Sequence, residues 1–311
     1  MSEVSISNRS TGAGPRRTSS FDVVCAGEAQ WDFTAPRGAS ASQAASMRFR
    51  AGGAAVNAAL ALAQRGLHVG LAAAIADDAL GRELCAKVAA AGVDIGGVAL
   101  APTCAGLVLS PSDGSAQEGV VHPAGAARPV AVPRAWEAQV LLLSGLSPAL
   151  AHAAGLCKAA RSARRAGAIV VVDVNARWRL WTGRDARATR TVLHEADVVR
   201  CSTADLAVLK IDAATVRSSM RLGAVLVLTD GAGIARATGP FGEITRAPQV
   251  MLTTNPAGAG DAFTAALCAE LARVDDYHAD SVELWTRVLQ RGHTAAHARL
   301  VVQQQRRQLQ G

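Results

Sequence analysis

Short apolar runs alternate with helical segments along most of this chain, and a glycine ends several of the helical segments. The predicted strands are 22–26, 69–74, 140–143, 168–172, 198–200 and 225–228. The predicted helices are 54–65, one around 84–92, 148–166, 184–195, 203–209, 213–222 and one from 261 onward. Such alternation predicts an α/β fold, in which helices cover both faces of a mostly parallel central sheet. Sheets of this kind bind ligands beyond the carboxyl ends of their strands.

Two segments interrupt the alternation. Residues 31–50 are rich in Ala and Ser, and residues 96–126 are rich in Gly, Pro and Ser with short β-like pieces. We expect both to leave the main fold and to pair with each other. Residues 1–20 are rich in Ser, Arg and Gly and lack the apolar region of a signal peptide. They predict a disordered N-terminal tail before a single domain over residues 21–311.

The composition argues against several classes of protein. With 311 residues, 50% of them hydrophobic and 18% charged, the chain can bury a sizeable core. Aromatic residues make up only 4%, too few for a stacking platform for single-stranded nucleic acid. The net charge of +7 comes from scattered basic residues without a zinc-finger, RNP or KH motif. We therefore expect no nucleic-acid partner, although the charge alone keeps a DNA-binding regulator as an outside alternative.

The cysteines and the hydropathy indicate a cytoplasmic protein. The six cysteines form no C-x-x-C pair and no metal-ligand spacing, and most lie in apolar surroundings, which predicts free thiols. No apolar run approaches the roughly 18 residues of a membrane span, so we expect no membrane partner. His293 and His297 are four residues apart but lack a third ligand, which favours packing over metal binding.

The stretch from Asn255 to Phe263 couples a tight turn to a buried helix. Pro256 and two glycines allow the backbone to turn sharply, and apolar positions at 263, 267 and 271 then share one helical face. A helix start offers unpaired N–H groups and the positive end of a dipole, which suits a phosphate. Asp261 beside it could be the base for a hydroxyl, or simply a residue common at helix starts.

Three motifs follow one another in the chain. They are Gly52-Gly53-Ala54-Ala55-Val56-Asn57-Ala58-Ala59, Asp173-Val174-Asn175-Ala176-Arg177-Trp178-Arg179-Leu180-Trp181 and Gly258-Ala259-Gly260-Asp261-Ala262-Phe263. Together they resemble the ribokinase/PfkB carbohydrate kinase family, in particular its fructokinase-like and 2-keto-3-deoxygluconate-kinase-like members. The resemblance implies a ribokinase-like three-layer α/β/α sandwich in which the two interrupting segments form a small β lid.

The first motif implies contacts with a sugar. Gly52 and Gly53 before a helix would let a hydroxylated ligand approach the backbone closely, and Asn57 can both donate and accept hydrogen bonds. Asp32 resembles the acidic residue with which the family grips sugar hydroxyls. The alternatives are glycines that merely end a strand, an Asn57 that points to solvent and an Asp32 that is only an acidic loop residue.

The second motif adds Asn175 and Arg177 to the expected substrate site. Both follow a buried strand, where a parallel sheet places its functional groups. Arg177 could clamp a substrate carboxylate or phosphate bidentately, or it could pair with Asp173 or another acid and brace the loop.

Other residues resemble the nucleotide side of the family's site. Ser202 with Asp205 is similar to the element near the magnesium and phosphates, with Asp205 acting through water, but the same spacing also forms a helix capping arrangement. Thr229, Gly231 and Gly233 resemble the turn that touches the nucleotide, one residue shorter than usual.

The third motif implies the chemistry. The resemblance makes Asp261 the base, with Gly258, Ala259 and Gly260 as an anion hole that also contacts ATP. It implies transfer of the γ-phosphoryl group of ATP, with Mg²⁺, to a primary hydroxyl of a sugar or sugar acid. A monovalent cation and a homodimer formed through the lid stay open. Asn255-Pro256-Ala257 departs from the family pattern.

Two other activities remain alternatives to this reading. A nucleoside kinase would share the scaffold and the catalytic motif. A non-catalytic relative that only senses sugar is kept open by Asn255 and by the shortened turn from Thr229 to Gly233.

Overall fold

The structure, a computed structural model, describes most of the chain. The described residues are 20–36, 39–40, 43–110, 120–122, 130–145, 153–176, 187–231, 233–248 and 258–308. Almost all of the predicted tail, together with Arg177 and the segment Asn255-Pro256-Ala257, lies outside them.

The described chain contains thirteen strands, nine of which form a central sheet. The strands are β1 (Phe21–Gly27), β2 (Gln30–Thr34), β3 (Arg48–Gly52), β4 (Val69–Ala76), β5 (Val93–Ala101), β6 (Leu107–Ser110), β7 (Val120–His122), β8 (Ala138–Ser144), β9 (Ile169–Asp173), β10 (Val198–Ser202), β11 (Val225–Thr229), β12 (Ala235–Gly239) and β13 (Gly242–Arg246). The sheet order is β13-β12-β11-β10-β9-β8-β1-β4-β5. From β11 to β5 every neighbouring pair is parallel, which confirms the predicted sheet.

Helices cover both faces of this sheet. They are α1 (Ala54–Ala63), α2 (Ala79–Ala90), α3 (Ala153–Arg165), α4 (Arg187–Leu193), α5 (Thr203–Leu209), α6 (Ala213–Ser219), α7 (Ala259–Leu271) and α8 (Val282–Gln308). In β8, Val140 and Leu142 pack with α1, α2, α7 and α8, whereas Leu141 and Leu143 pack with α3 to α6. Because side chains alternate along a strand, one apolar run serves two cores, and the fold has three layers.

A second sheet, of order β3-β2-β6-β7, joins the two segments that interrupt the alternation. Strand β2 is antiparallel to β3, with Asp32 opposite Arg50, and parallel to β6. Trp31 of β2 is fully buried, and its Nε1 donates to the carbonyl oxygen of Leu80 at 2.9 Å, which fastens this sheet to α2. The predicted pairing of the two segments is therefore present.

Three strands differ from the expectation. Residues 96–101 were assigned to the second interrupting segment, but they belong to β5 of the central sheet. As an edge strand β5 is exposed at many positions, and Gly97 leaves room for the ring of Trp136, so the run lacks the apolar signal of a buried strand. The β12–β13 hairpin was not predicted, because its outer strand is largely exposed and polar.

None of the described helices is long and apolar enough to cross a membrane.

Candidate active site

The third motif lies at the start of α7, beside the carboxyl ends of β9, β10 and β11. Gly258 precedes the helix with φ of 80°, a left-handed conformation that glycine adopts without strain. No side chain among the described residues caps this end of α7. The first turn of α7 therefore presents backbone N–H groups and the positive end of the helix dipole.

The Asp261 carboxylate is held between two side-chain amides. Nδ2 of Asn57, from α1, donates to Oδ2 at 2.8 Å, and Nδ2 of Asn175 donates to Oδ1 at 2.6 Å. Asp261 is only 4% exposed. Two donors on two different oxygens fix the plane of the Asp261 carboxylate. Residues 57, 175 and 261, which the sequence places far apart, therefore form one constellation.

Asn175 follows β9 in an unusual backbone conformation. Its φ of 39° is positive, and Asn175 is buried. Asparagine tolerates this region better than most residues, but an ordered non-glycine residue there is uncommon and is often found at functional sites. This conformation accompanies the contact of its amide with Asp261.

Asp173, the last residue of β9, pairs with Arg200 of β10. The Asp173 carboxylate is fully buried and lies 3.1 Å from Nη1 of Arg200. It also accepts hydrogen bonds from the hydroxyls of Thr264, at 2.8 Å, and Ser144, at 3.4 Å. Asp173 thus already has a cationic partner in Arg200. Arg177, the alternative partner, lies outside the described residues.

Arg200 is the residue of this site that sequence reasoning missed. Its Nη2 donates to Oγ1 of Thr229 at 2.8 Å, and its side chain is 6% exposed. Burial opposes its charge, but the carboxylates of Asp173 and Asp205 outweigh this and raise the pKa of Arg200. Burial raises the pKa of Asp173, and Arg200 opposes that effect. The only sequence signal was an arginine within an otherwise apolar strand.

The paired glycines bring the small sheet close to α1. A Cβ atom on Gly52 would lie 2.4 Å from the carboxyl group of Asp32, and one on Gly53 would lie 2.4 Å from the carbonyl oxygen of Glu28. Position 53 therefore requires glycine, because the clash is with backbone and its φ of 95° is left-handed, whereas a side chain at position 52 would require the Asp32 carboxyl group to move. Asp32 pairs with Arg50 at 3.1 Å, and Nε2 of Gln30 lies 3.4 Å from its other oxygen.

Ser202 and Asp205 form a complete capping box at the start of α5. The Asp205 backbone N–H donates to Oγ of Ser202, and the backbone N–H of Ser202 donates to the Asp205 carboxylate. The other oxygen of Asp205 accepts from the backbone N–H of Ala176 at 2.7 Å, which ties α5 to the segment after β9. The capping alternative is thus confirmed.

The turn after β11 lies next to this box. Oγ1 of Thr203 donates to the Asp230 carboxylate at 2.8 Å, and the N–H of Gly233 donates to the carbonyl oxygen of Asp230. Gly231 has a positive φ of 51°. The structure places Thr229 at the buried end of this turn, while Gly231 and Gly233 lie nearer the surface.

His293 of α8 has an aromatic and a backbone neighbour, whereas Nδ1 of His297 is buried without a hydrogen-bond partner among the described residues. His293 contacts the edge of the Phe263 ring, and its Nε2 lies 3.0 Å from the carbonyl oxygen of Arg246. Burial lowers the pKa of His293. Within the described residues, no group of three or more His, Cys, Asp or Glu side chains could hold a metal ion. All six cysteines are free thiols.

Comparison with known proteins gives a consistent result. A family model described as pfkB family carbohydrate kinase matches residues 20–308. A similar fold is found in aminoimidazole riboside kinase from Salmonella enterica, with 22% identity and a TM-score of 0.74 over 88% of this chain and 91% of that chain. Fructokinase from Xylella fastidiosa has 23% identity and a TM-score of 0.70 over 88% and 91% of the two chains. A PfkB protein from Polaromonas sp. JS666 has 26% identity and a TM-score of 0.70 over 89% and 94%. The chain therefore belongs to the pfkB family of carbohydrate kinases.

Proposed function

We propose that this protein transfers the γ-phosphoryl group of ATP to a primary hydroxyl of a sugar or sugar acid of the ribose, fructose or 2-keto-3-deoxygluconate type. One observation carries the proposal. The buried carboxylate of Asp261, oriented by the amides of Asn57 and Asn175, lies in the first turn of a helix that begins with small residues. A fixed carboxylate beside a cluster of backbone donors is what base-assisted phosphoryl transfer requires.

Asp261 accepts the proton of the attacking hydroxyl in this proposal. The backbone N–H groups from Gly258 to Asp261 stabilise the negative charge that develops on the transferring phosphoryl oxygens. Phosphoryl transfer depends on positioning and charge stabilisation more than on covalent chemistry, so the two asparagines contribute by holding Asp261 in one orientation.

The sugar would lie between α1 and the small sheet. Asp32, Gly52 and Gly53 come together there, and the pairing of Asp32 with Arg50 holds its carboxylate in place. Arg177 remains a proposed ligand for a substrate carboxylate or phosphate. We propose that the small sheet acts as a lid that excludes water during transfer.

The nucleotide would lie on the side of β10 and β11. Ser202, Thr229, Gly231 and Gly233 remain the proposed contacts, together with the glycines at the start of α7. ATP is the proposed donor on the family relationship and because the similar fructokinase was solved with bound ATP.

Mg²⁺ would be held mainly by the phosphates, and its charge would offset theirs when it is bound. Asp205 already accepts hydrogen bonds from two backbone N–H groups and from the hydroxyl of Ser202. Since a carboxylate has about four lone-pair sites, one is left for a water on the ion. This agrees with the proposed role in which Asp205 contacts Mg²⁺ through a water molecule and not by a direct bond.

We further propose a cytoplasmic homodimer that associates through the small sheet. The free thiols support the proposed cytoplasmic location. The aromatic ring of Phe49, which is 54% exposed and lies against the rings of Trp31 and Phe33, supports the small sheet as the dimer interface. A solution mass of one chain would contradict the dimer.

A nucleoside is the second candidate acceptor. The observation in its favour is the shared fold with aminoimidazole riboside kinase. At 22% identity, this likeness supports a common fold and not a common substrate. ADP release with MgATP should be measured with ribose, fructose, 2-keto-3-deoxygluconate, inosine and pseudouridine. Turnover with a sugar or sugar acid supports the first proposal, and turnover only with inosine or pseudouridine replaces it by the second. Sugar binding without turnover indicates a non-catalytic sensor.

The assignment of the base is tested by Asp261→Asn. We expect turnover to be lost, because an amide cannot accept the proton, while the protein stays folded and still binds ATP. Full activity of Asp261→Asn would show that another group is the base.

A further inference from the structure

A buried arginine lies directly beneath the proposed anion hole. A Cβ atom on Gly260 would be 3.1 Å from Nη2 and 3.3 Å from Nη1 of Arg200, so the guanidinium group packs against the Cα of Gly260. Arg200 is 5% exposed, and its Nε has no hydrogen-bond partner among the described residues. The guanidinium carbon is also 6.0 Å from the centre of the Phe263 ring. Because Gly260 has no side chain, the guanidinium group of Arg200 can lie against its Cα.

Burial and the helix dipole both oppose a positive charge at this position. The first turn of α7 carries the positive end of its helix dipole, and a full positive charge beneath it adds repulsion. The carboxylates of Asp173 and Asp205 stabilise the guanidinium group there and keep it charged. An anion above the same turn would interact favourably with the helix end and with Arg200 at once.

Three carboxylates surround the single guanidinium group of Arg200. Asp173 contacts the guanidinium group directly, and the charges of Asp205 and Asp261 act on the same buried cluster. Arg299 of α8 lies against Gly258, where a Cβ atom would be 3.3 Å from its Nε. Of the described cationic residues next to the start of α7, Arg200 is the one that is both buried and held by two partners, Asp173 and Thr229.

We infer that Arg200 is a positioning residue of the anion hole: it fixes the peptide of Gly260 and places a permanent positive charge behind the backbone donors that face the phosphoryl group. Arg200 makes no direct bond to the substrate in this arrangement. Its charge acts across Gly260, in a site from which water is excluded, where such a charge is screened little. This inference rests on the proposed kinase function and assigns a role to a residue outside the family motifs quoted above.

The test separates the charge of Arg200 from its bracing of Asp173. Arg200→Met alone leaves Asp173 buried without its cation and could prevent folding. The double variant Arg200→Met/Asp173→Asn removes both charges and keeps similar shapes. Arg200→Lys keeps the charge and loses the planar two-sided contact. Arg221→Met/Asp197→Asn is the matched control, because it removes an ion pair at the opposite end of β10.

For the double variant at Arg200 and Asp173 we expect a fall in kcat on the order of 100-fold, with the KM for sugar within about threefold of the unchanged protein. Arg200→Lys should recover kcat to within about tenfold of the unchanged protein, and the control double variant should keep its kcat. A melting curve for each variant confirms that it is folded.

Two results would overturn the inference. One is a folded Arg200→Met/Asp173→Asn variant with an unchanged kcat, which would make Arg200 a partner for Asp173 and nothing more. The other is an Arg200→Lys variant as slow as the double variant, which would mean that the charge contributes nothing. Failure of the proposed function is distinguishable from both, since the unchanged protein would then release no ADP with any sugar.

Discussion

At the scale of single residues, the site depends on groups that act in pairs. Asp261 is oriented by Asn57 and Asn175, and Asp173 is neutralised by Arg200. Each pair joins residues from different elements, so no local stretch of sequence contains a complete functional unit. Replacing one member leaves a buried polar partner unsatisfied, which costs more than the lost bond itself.

Gly260→Ala should lower kcat by about tenfold or more with a small loss of stability. The new methyl group would lie within 3.1 Å of an arginine that is held by Asp173 and Thr229, so either Arg200 or the Gly260 peptide must move. Steady-state kinetics and a melting curve measure the two effects. Gly155→Ala is the control: the site is exposed on α3 with no atom within 4 Å, and alanine there should stabilise by about 0.5 kcal/mol. Unchanged kinetics of Gly260→Ala would show that Arg200 moves freely.

His293 should make stability depend on pH. Burial lowers its pKa below the ordinary 6.5, so the unfolded chain takes up a proton before the folded chain does as the pH falls. The contribution of His293 is therefore fully present above about pH 6.5 and is lost as the pH falls toward the folded pKa. In His293→Gln, the urea midpoint should fall less between about pH 7 and about pH 5. His194→Gln, an exposed site, is the control, and equal slopes in both variants would contradict the prediction.

At the scale of elements, helix starts supply most of the site. Gly53 begins α1 and Gly258 begins α7 without a side-chain cap, whereas Ser202 begins α5 with a complete capping box. A helix start without a side-chain cap leaves its backbone N–H groups available for a ligand. At the capped start of α5, the side chains of Ser202 and Asp205 are instead held by the capping box. The difference follows from residue type, since glycine has no side chain to turn back on its own helix.

Ser202→Ala should cost about 1 kcal/mol of stability and also raise the KM for ATP. The loss of stability follows from the lost cap, and the change in KM follows from the proposed place of Ser202 beside the nucleotide. Asp212→Ala removes the cap of the neighbouring seven-residue helix α6, where the Asp212 side chain accepts from the N–H of Thr215. This control should lower the melting temperature and leave the KM for ATP unchanged. Equal effects of both variants on that KM would refute a role for Ser202 in nucleotide binding.

At the scale of the whole molecule, two sheets meet at the proposed substrate site. The central sheet brings the carboxyl ends of β9, β10 and β11 together, and the small sheet is fastened beside them through Trp31 and Gly52. Within the described residues the small sheet shares no strand with the central sheet, so we expect it to be the element best suited to move.

Hydrogen exchange should reveal this lid. With a saturating amount of the sugar that supports turnover, amides of β2 and β3 should exchange more slowly, because closure over the sugar suppresses local opening. The β12–β13 hairpin, at the far edge of the central sheet, is the internal control and should keep its exchange rates. Slowing of both regions by the same factor would indicate general stabilisation and not closure of a lid.

Sequence reasoning recovered the layers of the fold and named Asn57, Asn175 and Asp261 without their mutual contacts, and it failed where local signals were weak. The buried strands and the helices that follow them were predicted because their apolar periodicity is strong. Strand β5 and the β12–β13 hairpin lie at the edges of the sheet, where one side faces solvent and the pattern is lost. Arg200 was missed because a single charged residue in a strand does not reveal what it faces.

The sequence by itself determined the α/β class, the family motifs and the residue types available for chemistry, since these follow from periodicity, glycine placement and spacing. The tertiary structure decided the partners. Asp261 contacts residues that are 204 and 86 positions away, and Asp173 pairs with an arginine on the neighbouring strand. Contacts over such distances depend on strand order and on which faces pack together, and no local pattern encodes them.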